Sequence, residues 1–191
     1  MKKFVDESWL VLVMGVLFAV LLAGAQGLLS GKIHENQQRA LNDAIRAVAP
    51  DAERVERITI DGYDLGVFEC RDADGRLSGW ALEAAGAGFI DRIRLVVGVD
   101  ATAEKITGVK VIEDLETPGL GNKIRRDEWA GQYKGLDATK AVRVEKRPPK
   151  SGENEIQAIT GATWSSRYVT DIVNDVLARL RPELLKRRAA P

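Results

Sequence analysis

Cysteine and histidine are nearly missing, with one of each in 191 residues. A single thiol excludes an internal disulfide, and one Cys with one His is too little for a zinc site. Neither sign of charge is in surplus. Lys and Arg number 28 and Asp and Glu 28, so the net charge is zero and the chain lacks the basic footprint of a nucleic-acid binder. No acid/base pair or nucleophile constellation supports bond-making catalysis on a substrate. There is no internal repeat, and only Pro148-Pro149 and its surroundings resemble a linker. What is present is the makeup of a folded domain. Apolar residues are 45% and charged residues 29%, which excludes whole-chain disorder. A mean hydropathy of −0.15 excludes a polytopic membrane protein but permits a single span.

The apolar residues gather at the N-terminus. From Trp9 to Leu29 there is no charge, and only Gln26 is strongly polar. As a helix this run reaches roughly 30 Å, the thickness of a bilayer core. Trp9 stands where an interfacial aromatic belongs. A cleaved signal peptide competes with this reading, with Lys2 and Lys3 as its n-region and Ala23-Gly24-Ala25 as an A-x-A site. Against it, the run exceeds a typical h-region, and Asp6 and Glu7 make the n-region acidic. A retained anchor is therefore the favoured expectation, ahead of the signal peptide and of a buried soluble helix. Lys2 and Lys3 face Lys32 and Arg39 across the run, so charge gives only a lean in orientation.

Beyond the anchor, Ile33, Leu41, Ala44, Ile45 and Val48 recur at mostly helical spacing, and Pro50 ends that helix. Val55 to Cys70 alternates and predicts short strands. Asp72-Ala73-Asp74-Gly75 predicts a turn, and Leu77 to Ala84 the returning arm of a hairpin, broken by Gly86-Ala87-Gly88. Ile90–Val99, Ile106–Ile112 and Ala141–Glu145 read as further strands. Asp127 to Tyr133 reads as a short helix with Trp129 on its buried face. Gln157 to Thr160 is an extended lead into a final helix over about Thr163 to Leu185, with a basic, frayed tail after it. The expectation is an α+β protein in three parts: an anchor over 1–30, a juxtamembrane helix over 31–50, and one domain over 51–191. Its sheet should be mostly antiparallel with packed helices, because hairpin-length connections dominate.

Two segments carry the functional reading. Thr160-Gly161-Ala162-Thr163 falls at a helix N-terminus, where free N–H groups and the dipole favour an anion; small residues allow close approach, and Ser165 and Ser166 follow. Taken alone it reads first as an N-cap. Glu116-Thr117-Pro118-Gly119-Leu120-Gly121 is a tight turn by composition, and alone it says nothing of function.

Together, in this order and behind an N-terminal span, the two segments resemble the FMN-binding domain shared by the G subunit of the Rnf electron-transport complex and the C subunit of the sodium-pumping NADH:quinone reductase. Gly79-Trp80-Ala81-Leu82-Glu83 with Gly86-Ala87-Gly88-Phe89 resembles the family's glycine-rich strand and turn. Ile93–Asp100 and Ile106–Ile112 resemble the next core strands. The resemblance implies that Thr163 is joined by a phosphoester bond to the phosphate of one FMN per chain. It implies that Thr160, Gly161 and Ala162 flank that bond, and that Glu116, Thr117, Gly119, Leu120 and Lys123 border the flavin. The family motif usually begins with Asp six residues before the modified Thr, a position linked to recognition by the flavin transferase. Gln157 stands here instead, similar in size and hydrogen bonding but without the charge.

The implied protein is an electron-transfer subunit of a prokaryotic cytoplasmic membrane, with its domain on the outer, periplasmic side. Its partners would be polytopic, flavin and iron–sulfur subunits, with a flavin transferase for maturation. The short chain favours the Rnf G subunit over the longer C subunit. A stand-alone FMN carrier, a flavin-free structural subunit and a small-molecule reductase are the remaining readings. Cys70 is expected as a buried thiol, His34 as solvated, and Trp80 and Trp129 as core aromatics ahead of flavin-stacking partners.

Overall fold

The computed structural model describes residues 2–189, with side chains from 8 to 189. The chain divides after Ala40 into two compact units. The first is most of helix α1 (Lys2–Val48), which runs without interruption through the predicted anchor and juxtamembrane segments. From Ser8 onward it is long and apolar enough to cross a membrane, with a mean hydropathy of 2.4 in its most apolar window. Leu10, Val11, Leu12 and Val13 are all exposed, and four consecutive residues at steps of about 100° point to every side of the helix. A helix apolar all round with no protein over it matches lipid surroundings.

The last turns of α1 belong to the second unit, which starts at Leu41. Leu41, Ala44, Ile45 and Val48 are buried with Phe68, Cys70, Ala81 and Val96 of the sheet. The helix stops where Pro50 approaches, and the Val48 carbonyl accepts a 2.6 Å bond from Thr107 Oγ1, which satisfies one of its orphan end groups.

The sheet is an antiparallel meander in the order β1 (Arg54–Ile60), β2 (Tyr63–Arg71), β3 (Leu77–Ala87), β4 (Arg92–Asp100) and β5 (Ile106–Glu113). Side chains alternate between two faces. Phe68, Ala81 and Val96 meet the end of α1. Trp80, Leu82, Leu95 and Val97 join the larger core with Val169, Val173, Val176 and Leu180 of α3 (Thr163–Ala189). Between β5 and α3 lie the short α2 (Asp127–Ala130), a 3-10 turn through Tyr133, and β6 (Arg143–Glu145). β6 pairs in parallel with β7 (Glu155–Gln157), the lead-in segment before α3.

Two elements depart from expectation. Gly86-Ala87 does not break β3; both residues stay paired with β4. A Cβ at Gly86 would fall 2.6 Å from Ile172 Cγ1, so this glycine is where α3 approaches the strand. The basic tail is helical to Ala189. Leu184 is buried, and Arg187 bonds the buried Glu69 carboxylate at 3.2 Å, which ties the last turns down. Ala190 and Pro191 lie outside the described residues.

Candidate functional site

α3 starts at Thr163, directly after the Thr160-Gly161-Ala162 turn. Gly161 adopts φ +83°, a conformation that side chains with a Cβ rarely take. The turn closes through Ala162 N–H to the Ile159 carbonyl at 2.9 Å. Ser166 fastens the turn to the helix without capping it: its Oγ accepts from Ile159 N–H and donates to the Ala162 carbonyl, both at 3.0 Å. Neither Thr160 nor Thr163 makes a side-chain hydrogen bond among the described residues. The backbone N–H groups of Thr163, Trp164 and Ser165 likewise have no partner among them, as the first turn of a helix leaves them.

The Glu116–Gly121 loop meets this turn. Ser165 Oγ donates to Glu116 Oε2 at 2.6 Å. Glu116 Oε1 accepts from Phe89 N–H at 2.7 Å and Ile90 N–H at 3.2 Å. The carboxylate is only 3% exposed, and all three of its partners are protein groups. Asp114, also buried, accepts from Glu116 N–H at 3.0 Å and pairs with Arg125, which steadies the loop from behind. Gly119 takes φ +76°, and its N–H donates to Asn122 Oδ1 at 2.9 Å. The Leu120 side chain rests over Gly161, with Cδ2 3.2 Å from where a Cβ would stand.

Of the residues singled out from sequence, the fold therefore gathers Glu116, Leu120, Gly161, Ala162 and Thr163 into one place. Thr117 and Thr160 are exposed beside it, with Gly119 at the loop tip. Lys123 contributes its backbone N–H, bonded to the Leu120 carbonyl at 3.2 Å, and its side chain makes no ion pair among the described residues. Gln157 reaches outward, with Nε2 3.5 Å from the Lys146 carbonyl. Trp80 and Trp129 are buried in the core. Trp129 Nε1 also donates to the Gln157 carbonyl at 2.8 Å, anchoring the lead-in to the turn. Cys70 is fully buried, and burial pushes its thiol up to about 11. His34 lies exposed on α1.

Sequence reasoning missed the roles of Phe89, Ile90, Trp164 and Ser165. With Leu115 and Leu120, the first three form a set of large apolar side chains 44% to 65% exposed around the Glu116 bridge and Thr163. Their signal was available only in part: apolar residues at turns, where polar ones are usual. The site is an open shelf. Cavities of about 380 Å³ beside Tyr63 and Arg179 and about 530 Å³ beside Val48 and Gly108 lie elsewhere.

The residues present fit a phosphorylated flavin. Unpartnered N–H groups at a 27-residue helix's start suit a phosphate, the Thr163 hydroxyl stands among them, and the apolar rim suits an aromatic ring.

A model of the FMN-binding domain matches residues 88–178, which takes in both loops and most of α3. The G subunit of the Na(+)-translocating ferredoxin:NAD(+) oxidoreductase complex of Acetobacterium woodii is 37% identical over 103 residues, 53% of this chain and 49% of that protein. This match thus spans about half of that relative's length. The G subunit of the ion-translocating oxidoreductase complex of Shewanella piezotolerans is 30% identical over 193 aligned positions, covering 91% of this chain and 88% of the relative. Among solved structures, NqrC of Shewanella oneidensis superposes with a TM-score of 0.61 at 25% identity, over 76% of this chain and 74% of that one. A relative 30% identical and aligned over 88% of its length, with an FMN-binding domain match that spans the shelf residues, establishes that the chain belongs to the family of G subunits of ion-translocating oxidoreductase complexes.

Proposed function

We propose that this chain is a membrane-anchored electron-transfer subunit of an ion-translocating ferredoxin:NAD oxidoreductase complex, carrying one FMN bonded through its phosphate to Thr163. The observation that carries the reading is the start of α3: a half-exposed Thr hydroxyl among three unpartnered N–H groups, with the Glu116–Gly121 loop bonded to the same turn. Because the shelf is open, a flavin there is not enclosed, and a covalent tether supplies the retention that a pocket would otherwise give.

Bound FMN supplies one- and two-electron chemistry, which none of this chain's side chains can. The chain's own residues do the rest. The N–H groups of Thr163, Trp164 and Ser165, with the helix dipole, stabilise the phosphate charge. Leu120, packed on Gly161, sheds water from one side of the shelf, and the open side leaves a redox partner free to approach. α1 holds the domain at the membrane, with the domain on the outer side of a prokaryotic cytoplasmic membrane. Electrons arrive from one membrane subunit and leave to another flavin subunit. Superposition on NqrC supports the same shelf serving the related quinone-reductase C subunit; the length and identity of the alignments with G subunits favour the ferredoxin:NAD complex.

Coexpression with a flavin transferase followed by peptide mass spectrometry tests the attachment. One FMN is expected on the peptide containing Thr163, absent in Thr163→Ala and mostly retained in Thr160→Ala. Ala keeps the helix start intact, so loss of FMN in the first variant reports the missing hydroxyl. The reverse pattern moves the attachment to Thr160. No added mass on the wild type, with the transferase active on another substrate, points to Gln157 and to a flavin-free structural subunit.

A further inference from the structure

We infer that Glu116 is a positioning residue for the shelf and not a flavin ligand. It ties the β3–β4 turn and the Pro118-Gly119 loop to the first turn of α3, and so sets where the apolar rim stands relative to Thr163. The inference rests on the Thr163 reading for its functional consequence, while its geometric basis is independent of it.

Glu116 is buried, and its acceptor capacity is turned to protein donors from two other segments. Phe89 and Ile90 N–H groups meet Oε1, and the Ser165 hydroxyl meets Oε2. No cation pairs with it among the described residues. A buried carboxylate held only by hydrogen bonds is costly to unpartner, so the segments that supply its donors move together or not at all. Those donors sit next to the rim. Phe89 and Ile90 carry two of its side chains on the same residues whose N–H groups are bound. Trp164 lies one residue before Ser165, and Leu120 is four residues beyond Glu116, against Gly161. Asp114 and Arg125 hold the loop from the protein side, and beside the Leu120 contact on Gly161 the Glu116 bridge is the hydrogen-bonded link to the α3 turn among the described residues.

The test compares Glu116→Gln and Glu116→Ala in the full chain in detergent. Gln keeps an amide oxygen for Phe89 and Ile90 N–H and an amide N–H for the Ser165 oxygen, so it preserves the bridge without charge. Ala removes it. Amide hydrogen exchange of Phe89 and Ile90 in unflavinylated protein is expected to stay slow in the wild type and Gln variant and to quicken at least tenfold in Ala. After flavinylation, the absorption maximum and midpoint potential of the attached FMN should shift in Ala and return toward wild type in Gln. Unchanged exchange at Phe89 and Ile90 in a folded Ala variant overturns the bridge. A Gln variant as defective as Ala in spectrum and potential, with its exchange protection intact, overturns positioning in favour of direct contact between the charge and the flavin. The exchange measurement needs no flavin, so failure of FMN attachment in the wild type would sink the Thr163 reading without touching this result.

Discussion

Gly119 and Gly161 show how two residues of the same type carry different constraints. Both have positive φ, but no heavy atom lies within 4 Å of a Cβ added at Gly119, whereas one at Gly161 would meet Leu120. Gly119→Val should therefore cost about 1–2 kcal/mol through backbone strain alone, leave the fold in place, and shift the absorption of attached FMN. Thermal unfolding and a visible spectrum check both parts; an unchanged spectrum in the folded variant would make the loop structural only. Cys70 gives a second prediction at this scale. A thiol that is fully buried, and raised by that burial, presents little thiolate, so native protein at pH 8 should resist alkylation and react only after denaturation. Rapid labelling of the native protein would contradict the packing around β2. The sequence already marked Cys70, Trp80 and Trp129 as core. It did not show that Trp129 holds the Gln157 carbonyl, because that bond spans 28 residues.

Among the elements, the β6–β7 pair depends on one buried acid. Glu155 accepts from Arg147 at 2.7 Å and 3.1 Å and from Lys150 N–H at 2.8 Å. The Arg147 bond, then that N–H, lowers its carboxyl from 4.5 to about 2. A carboxyl depressed in the fold stabilises it above the unfolded value, and that contribution fades as pH falls through the folded one. The pair should thus loosen between pH 4.5 and about 2, and Glu155→Gln should flatten this part of the acid-unfolding curve. An identical curve for the variant would assign acid sensitivity elsewhere. β7 was not legible as a strand: the extended lead-in read from sequence starts at Gln157, where β7 ends, because three residues are too few for a periodic signal and the partner strand is a dozen residues upstream.

For the whole molecule, the place where the chain is cut decides whether the domain survives. Removing residues 1–40 takes away the exposed apolar helix and leaves the buried set that begins at Leu41. That form should be soluble and cooperatively folded. Removing residues 1–50 also strips Leu41, Ala44, Ile45 and Val48 from the sheet. At 1.5–3 kcal/mol for each larger side chain, the loss is about 5 kcal/mol, a large part of a domain's stability. Urea titrations of the two truncations should differ accordingly, and equal midpoints would mean that the end of α1 is dispensable.

Much of this protein was determined by the sequence alone. An uncharged apolar run makes a helix long enough to cross a bilayer, alternation makes the meander strands, and Thr160 to Thr163 before an apolar stripe makes a helix start. Each is a local consequence of composition and spacing. The Glu116–Gly121 segment was legible as a turn and the α3 start as a terminus, and their joint meaning came from resemblance. Only the tertiary structure decided that Glu116 is spent on Phe89, Ile90 and Ser165, that Gly86 continues a strand beneath Ile172, and that the last turns of α1 are core. The Glu116 and Gly86 contacts join residues separated by 26 to 86 positions, and a residue's partner at such separation is set by how the sheet and α3 pack, which no local pattern encodes.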